Sequence, residues 1–130
     1  MILRRAREFF ADQSGSSAAE FVLVLPLLLL LTIGTIYLTF MLQAASSLHF
    51  AVQDAARCRA VKTLVCTNKT TTEAYAATRY SGPGLASLTF TSPAAAVACG
   101  YQVSGAGFFS LRTGLMTLAV PLNATACFPD

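Results

Sequence analysis

From Phe21 to Gln53 the chain carries no charged residue, and the first 22 positions of that stretch, Phe21 to Leu42, are almost wholly apolar. Only threonines, a tyrosine, a glycine and Pro26 interrupt the leucines, isoleucines, valines and phenylalanines. A helix of that length rises about 33 Å at roughly 1.5 Å per residue, enough for the hydrocarbon core of a bilayer. A chain of 130 residues has too little mass left to cover such a helix on every side. The expectation is therefore a membrane helix and not a core helix. The run also exceeds an ordinary cleaved secretory core of about 7–15 residues. Ala44-Ala45-Ser46 behind it is a poor cleavage site, so the helix is expected to be retained.

Charge orients the helix. Arg4, Arg5 and Arg7 precede it, which favours an N-terminus in the cytoplasm. The remaining basic residues are scattered, and the net charge is only +3. No basic stripe with interleaved aromatics is present, so nucleic acid is not an expected partner. Cys58, Cys66, Cys99 and Cys127 all follow the apolar run. Four cysteines allow three pairings. A zinc site is the rival, but no C-x-x-C occurs and His49 is the only histidine. Disulfides, and with them an oxidising compartment for the C-terminal part, are the expectation. No metal or cofactor site is expected.

The junction before the apolar run is the most specific feature. Gly15-Ser16-Ser17-Ala18-Ala19-Glu20-Phe21 closes a short basic leader with a glycine, follows it with small residues, and sets one glutamate at the edge of the helix. A carboxylate at the hydrocarbon edge is costly unless paired. The positive end of the helix dipole offsets part of that cost.

Here the sequence resembles the class III signal peptides of type IV prepilins. The closer resemblance is to TadE-like proteins, the minor pilins or pseudopilins of the tight-adherence (Flp) pilus system. Gly15, Glu20, Phe21, Leu25 and Pro26 fit that pattern, as does the small-residue helix ending in Ala55-Ala56-Arg57. Ser16, where other pilin classes usually have phenylalanine, favours the Tad class. The resemblance covers about 15–60. It implies cleavage between Gly15 and Ser16 by a prepilin peptidase, and assembly roles for Glu20, Phe21 and Pro26. Glu20 would meet the freed amine of a neighbouring subunit. The implied partners are that peptidase, other minor pilins, the major pilin and the inner membrane. The implied location is the inner membrane, with a periplasmic C-terminal domain, or the assembled pilus.

Beyond the membrane, Leu38, Met41, Ala45, Leu48, Val52 and Ala55 recur at spacings of three and four. They predict an amphipathic continuation of the helix to Val61. Asp54 and Arg57 read as an i, i+3 surface pair. Thr70-Thr71-Thr72-Glu73 reads as a capping box opening a short helix that runs to about Tyr80. Strands are expected at Ser87–Thr91, Ala98–Ser104 and Leu115–Ala126. Gly105-Ala106-Gly107 and Arg112-Thr113-Gly114 are read as turns. Local closure favours Cys58–Cys66 and Cys99–Cys127.

The expected organisation is a leader over 1–15, a long helix over 16–61 and a small extracytoplasmic domain over 62–130. Within the helix, about 21–42 spans the membrane and about 43–61 forms a stalk. The fold class is α+β: that helix, a short helix and a small antiparallel sheet. The expected function is a structural or assembly subunit of a Tad-type pilus. A membrane-anchored binding module and a type II secretion pseudopilin are the alternatives. Nothing sets a serine and an acid around His49, so an enzyme is not expected.

Overall fold

The computed structural model describes residues 16–112 and 116–129. Helix α1 is Ser16–Val61, helix α2 is Lys69–Arg79, and strands β1, β2 and β3 are Ala86–Thr91, Tyr101–Arg112 and Thr117–Phe128. The strands form one antiparallel sheet in the order β1-β2-β3. The class is α+β, as expected.

The chain divides into two compact units, one ending at Ile36 and the other beginning at Tyr37. In the first, the described residues are all helical and carry large exposed side chains from Phe21 to Ile36. Thr32 and Thr35 donate their hydroxyls to the carbonyls of Leu29 and Thr32. Such back-bonding leaves less polar surface on an otherwise apolar face. Pro26 lies inside the helix, where its missing N–H leaves one carbonyl of the preceding turn without its helical donor.

The second unit has its own core. Ala44, Leu48, Val52, Ala55 and Ala56 of α1 pack with Ala76 of α2, Val103 and Phe109 of β2, and Leu122 and Ala124 of β3. The buried helical face contains more alanine than the expected stripe, gaining Ala44, Ala51 and Ala56. Leu38 departs from that stripe and is exposed. A Cβ at Gly105 would stand 2.8 Å from Leu48 Cδ1 and 3.0 Å from Phe90 Cε1. Gly105 and Gly107 are thus sites of close packing in the middle of β2 and do not form the expected turn. Two glycines around an alanine look like a turn in sequence, yet they also let a strand approach a helix closely.

That misreading cut β2 short: the strand begins at Tyr101, later than expected, and continues to Arg112. Twelve paired positions join β2 to β3, from Tyr101 opposite Phe128 to Arg112 opposite Thr117. The expected turn at Arg112-Thr113-Gly114 falls mostly outside the described residues. Pro121 is accommodated because β3 is an edge strand. The β1 register shifts between Ala86 and Thr89, where Ser87 takes a positive φ of 53°, a one-residue bulge.

Two disulfides link Cys58 to Cys66 and Cys99 to Cys127, with Cα–Cα distances of 5.8 and 6.1 Å. They close loops of 8 and 28 residues' separation. Bridges of this kind typically add about 2–4 kcal/mol, more for longer loops, which suits so small a core.

Candidate functional site

The residues singled out at the N-terminal junction fall into two groups. Gly15 lies outside the described residues. Glu20, Phe21 and Pro26 lie on α1 with exposed side chains. With α1 beginning at Ser16, Glu20 is its fifth residue, and the first turn holds no acidic side chain. The dipole effect falls off within the first turn, so it offsets less of Glu20's cost than the sequence suggested. Among the described residues no salt bridge to Glu20 is formed. The geometry therefore presents an exposed carboxylate directly before an exposed phenylalanine, at the head of the charge-free stretch of α1 from Phe21 to Gln53.

The second unit holds its polar groups in contacts that tie elements together. Asp54 was expected to pair with Arg57. Its Oδ2 instead accepts from Arg79 Nε at 2.5 Å and from the Tyr75 hydroxyl at 3.0 Å, both on α2. Arg79 also stacks over the rings of Phe50 and Tyr75. Burial raises the Tyr75 phenol above its ordinary value, and its hydrogen bond to Asp54 and that residue's charge raise it further, while Arg79 pulls the other way.

The helix cap also differs from expectation. Asn68 is the N-cap of α2: its Oδ1 accepts from Thr71 N, and Thr71 Oγ1 accepts from Asn68 N, each at 3.0 Å. The box therefore opens two residues before the expected one. Glu73 is left to accept from Ser92 N at 2.8 Å. Asn68 was not among the residues expected to cap the helix. The signal was present, since asparagine ranks among the best N-caps.

Arg59 was missed altogether. It is buried at the last turn of α1, where a cation complements the helix dipole. Its Nη2 donates to the Ala94 carbonyl at 2.6 Å, its Nη1 to Ser92 Oγ at 3.4 Å, and its guanidinium lies over the Tyr101 ring. It fastens the loop between β1 and β2 to the helix. The partners are a loop carbonyl and a loop hydroxyl, which no spacing rule identifies.

A shallow open groove of about 410 Å³ runs between Phe50, Asp54 and Arg57 of α1 and Ala126 and Phe128 of β3. His49 is exposed on α1. No group of three or more potential metal ligands occurs among the described residues. Among the described residues, Asp54, Arg59, Glu73, Tyr75 and Arg79 serve as fasteners between elements.

The fold and the junction together define a class: a long apolar N-terminal helix, of the kind that anchors a chain in a membrane or directs its export, followed by a small disulfide-stapled α+β unit. Within that class, residues 15–57 match the family model of the TadE-like proteins. The match opens on Gly15 and ends on Arg57, covering Glu20, Phe21 and Pro26. No curated protein matches the chain, and no solved structure does.

Proposed function

We propose that the chain is a prepilin-like structural subunit of a Tad-type pilus, a minor pilin or pseudopilin and not an enzyme. The observation that carries this reading is the match of residues 15–57 to the TadE-like family model, with Gly15 five positions ahead of Glu20 and an exposed apolar run from Phe21 directly after it. A prepilin peptidase removes residues 1–15. Ser16 then supplies a new amine four residues from Glu20. The apolar helix holds the subunit in the inner membrane with residues 62–130 outside the cytoplasm. Sibling minor pilins and the major pilin are its partners.

In this reading Glu20 is an assembly residue. A neighbouring subunit displaced by a few ångströms along the helix presents its amine to the carboxylate. Desolvation of both charges offsets much of the Coulomb gain, so the contact selects a docking register more than it stabilises the assembly. Phe21 and Pro26 lie on the same helix and are part of the surface that neighbours meet.

Glu20→Ala should leave membrane insertion intact, since a costly charge is removed. It should leave both disulfides formed, because the cysteines lie far along the chain. It should abolish co-purification with sibling pilins and reduce filament counts. Normal association and piliation in a strain holding stable Glu20→Ala protein would contradict the assembly role. That outcome would favour an anchored binding module.

A further inference from the structure

We infer that the described residues on either side of the β2–β3 turn, Leu111, Arg112, Met116 and Leu118, form a second membrane contact, seated at the lipid headgroup boundary beside Tyr37 of α1. The inference rests on the reading of α1 as a membrane helix. The hydroxyl of Tyr37 donates to the carbonyl of Arg112 at 3.1 Å. This fixes the end of β2 against the helix at Tyr37. The apolar run continues past Tyr37 to Leu42, five residues or about 7 Å further along the helix. Whatever covers α1 between Tyr37 and Leu42 therefore also meets the end of the hairpin.

The composition of that end suits lipid. Met116 and Leu118 are exposed at 69% and 55%, and Leu111, paired with Leu118, is half-buried. Arg112 is the only charged residue between Arg79 and Asp130. A single cation among apolar side chains, with a tyrosine alongside, matches the headgroup boundary. There the apolar atoms enter the acyl region, arginine reaches lipid phosphate, and tyrosine lies between the two. Two contacts, one helix and one hairpin, would limit rotation of the exported unit about the helix axis.

The chain has no tryptophan, so single substitutions report position directly. The full chain is reconstituted in vesicles of phosphatidylethanolamine and phosphatidylglycerol containing acyl-brominated lipid. Three variants are compared: Ile33→Trp in the apolar run, Leu118→Trp at the hairpin end, and Leu64→Trp, 94% exposed and beyond the far end of α1. Met116→Trp replaces Leu118→Trp if the latter fails to form both disulfides on a non-reducing gel. Lipid bromines near the headgroups should remove roughly half of the Leu118→Trp emission, as expected for a side chain buried about 5–10 Å into the boundary. Leu64→Trp should be unquenched. Adding Arg112→Glu to Leu118→Trp should weaken the quenching, most strongly in vesicles rich in phosphatidylglycerol.

Unquenched Leu118→Trp beside quenched Ile33→Trp overturns the hairpin contact and leaves the membrane helix standing. Unquenched Ile33→Trp overturns the membrane helix itself. Leu118→Trp emission that shifts to the blue with protein density, but stays unquenched, places another copy of the chain on the hairpin and likewise overturns the inference. Quenching unchanged by Arg112→Glu overturns the phosphate contact.

Discussion

Gly105 sets how closely β2 comes to α1, because its missing side chain leaves the space taken by Leu48 and the Phe90 ring. Leu48 is itself fully buried, so it has little room to give way. Gly105→Val should therefore overpack the core and lower stability by about 1–3 kcal/mol, read as a shift of the urea midpoint in detergent. Tyr75 makes a different kind of prediction. The fold prefers its neutral phenol, chiefly through burial and then through Asp54. The folded chain thus keeps a proton that the unfolded chain loses near the ordinary tyrosine value of about 10. The stability linked to Tyr75 is fully present below that value and is lost as pH rises through the raised folded value. Tyr75→Phe removes the hydrogen bond to Asp54 and should flatten the fall in stability as pH rises above about 10. An unchanged slope in urea melts across that range would show that the phenol does not titrate differently in the two states.

At the scale of the element, α2 begins where its backbone donors are satisfied. Asn68 and Thr71 exchange side-chain and backbone hydrogen bonds, and Thr72, fully buried, donates its hydroxyl to the Asn68 carbonyl. Asn68→Ala should cost about 1 kcal/mol. Thr70→Ala should cost much less, since Thr70 takes no part in the cap. Equal losses in the two variants would contradict the observed box.

The misplaced cap shows which kind of information sequence carries. Threonine at 70 and glutamate at 73 fit the spacing rule, but Glu73 is drawn off by Ser92, a partner 19 residues away. Long-range partners also explain Asp54, taken by Arg79 and Tyr75, and Arg59, taken by the loop at Ser92 and Ala94. Periodicity did identify the helix and the centre of its buried face at Leu48, Val52 and Ala55, because burial on a helix follows 3.6-residue spacing whatever covers it. Most of β2, from Gly105 to Arg112, was missed because glycine signals both a turn and a close approach, and only the packing partner separates the two.

For the whole molecule, the sequence was most informative where physics and motif converge on one junction. Hydropathy marks the helix, charge marks its start, and the order Gly15, Glu20, Phe21 falls within the stretch that matches the TadE-like family model. The local pairing of the cysteines was also legible, since Cys58 and Cys66 bracket the end of α1, and Cys99 and Cys127 lie near paired ends of β2 and β3. The groove beside Phe50 and Arg57 was not legible, because it depends on how β3 lies against the helix. The central claim is that this chain is a processed pilin-like subunit, and its most direct test is the mature N-terminus. Intact-mass measurement and N-terminal sequencing of the protein from its native host should find Ser16 as the first residue, with two disulfides intact. A chain that still begins at Met1 in cells with an active prepilin peptidase, or one cut after Ala44 or Ala45, would contradict the account.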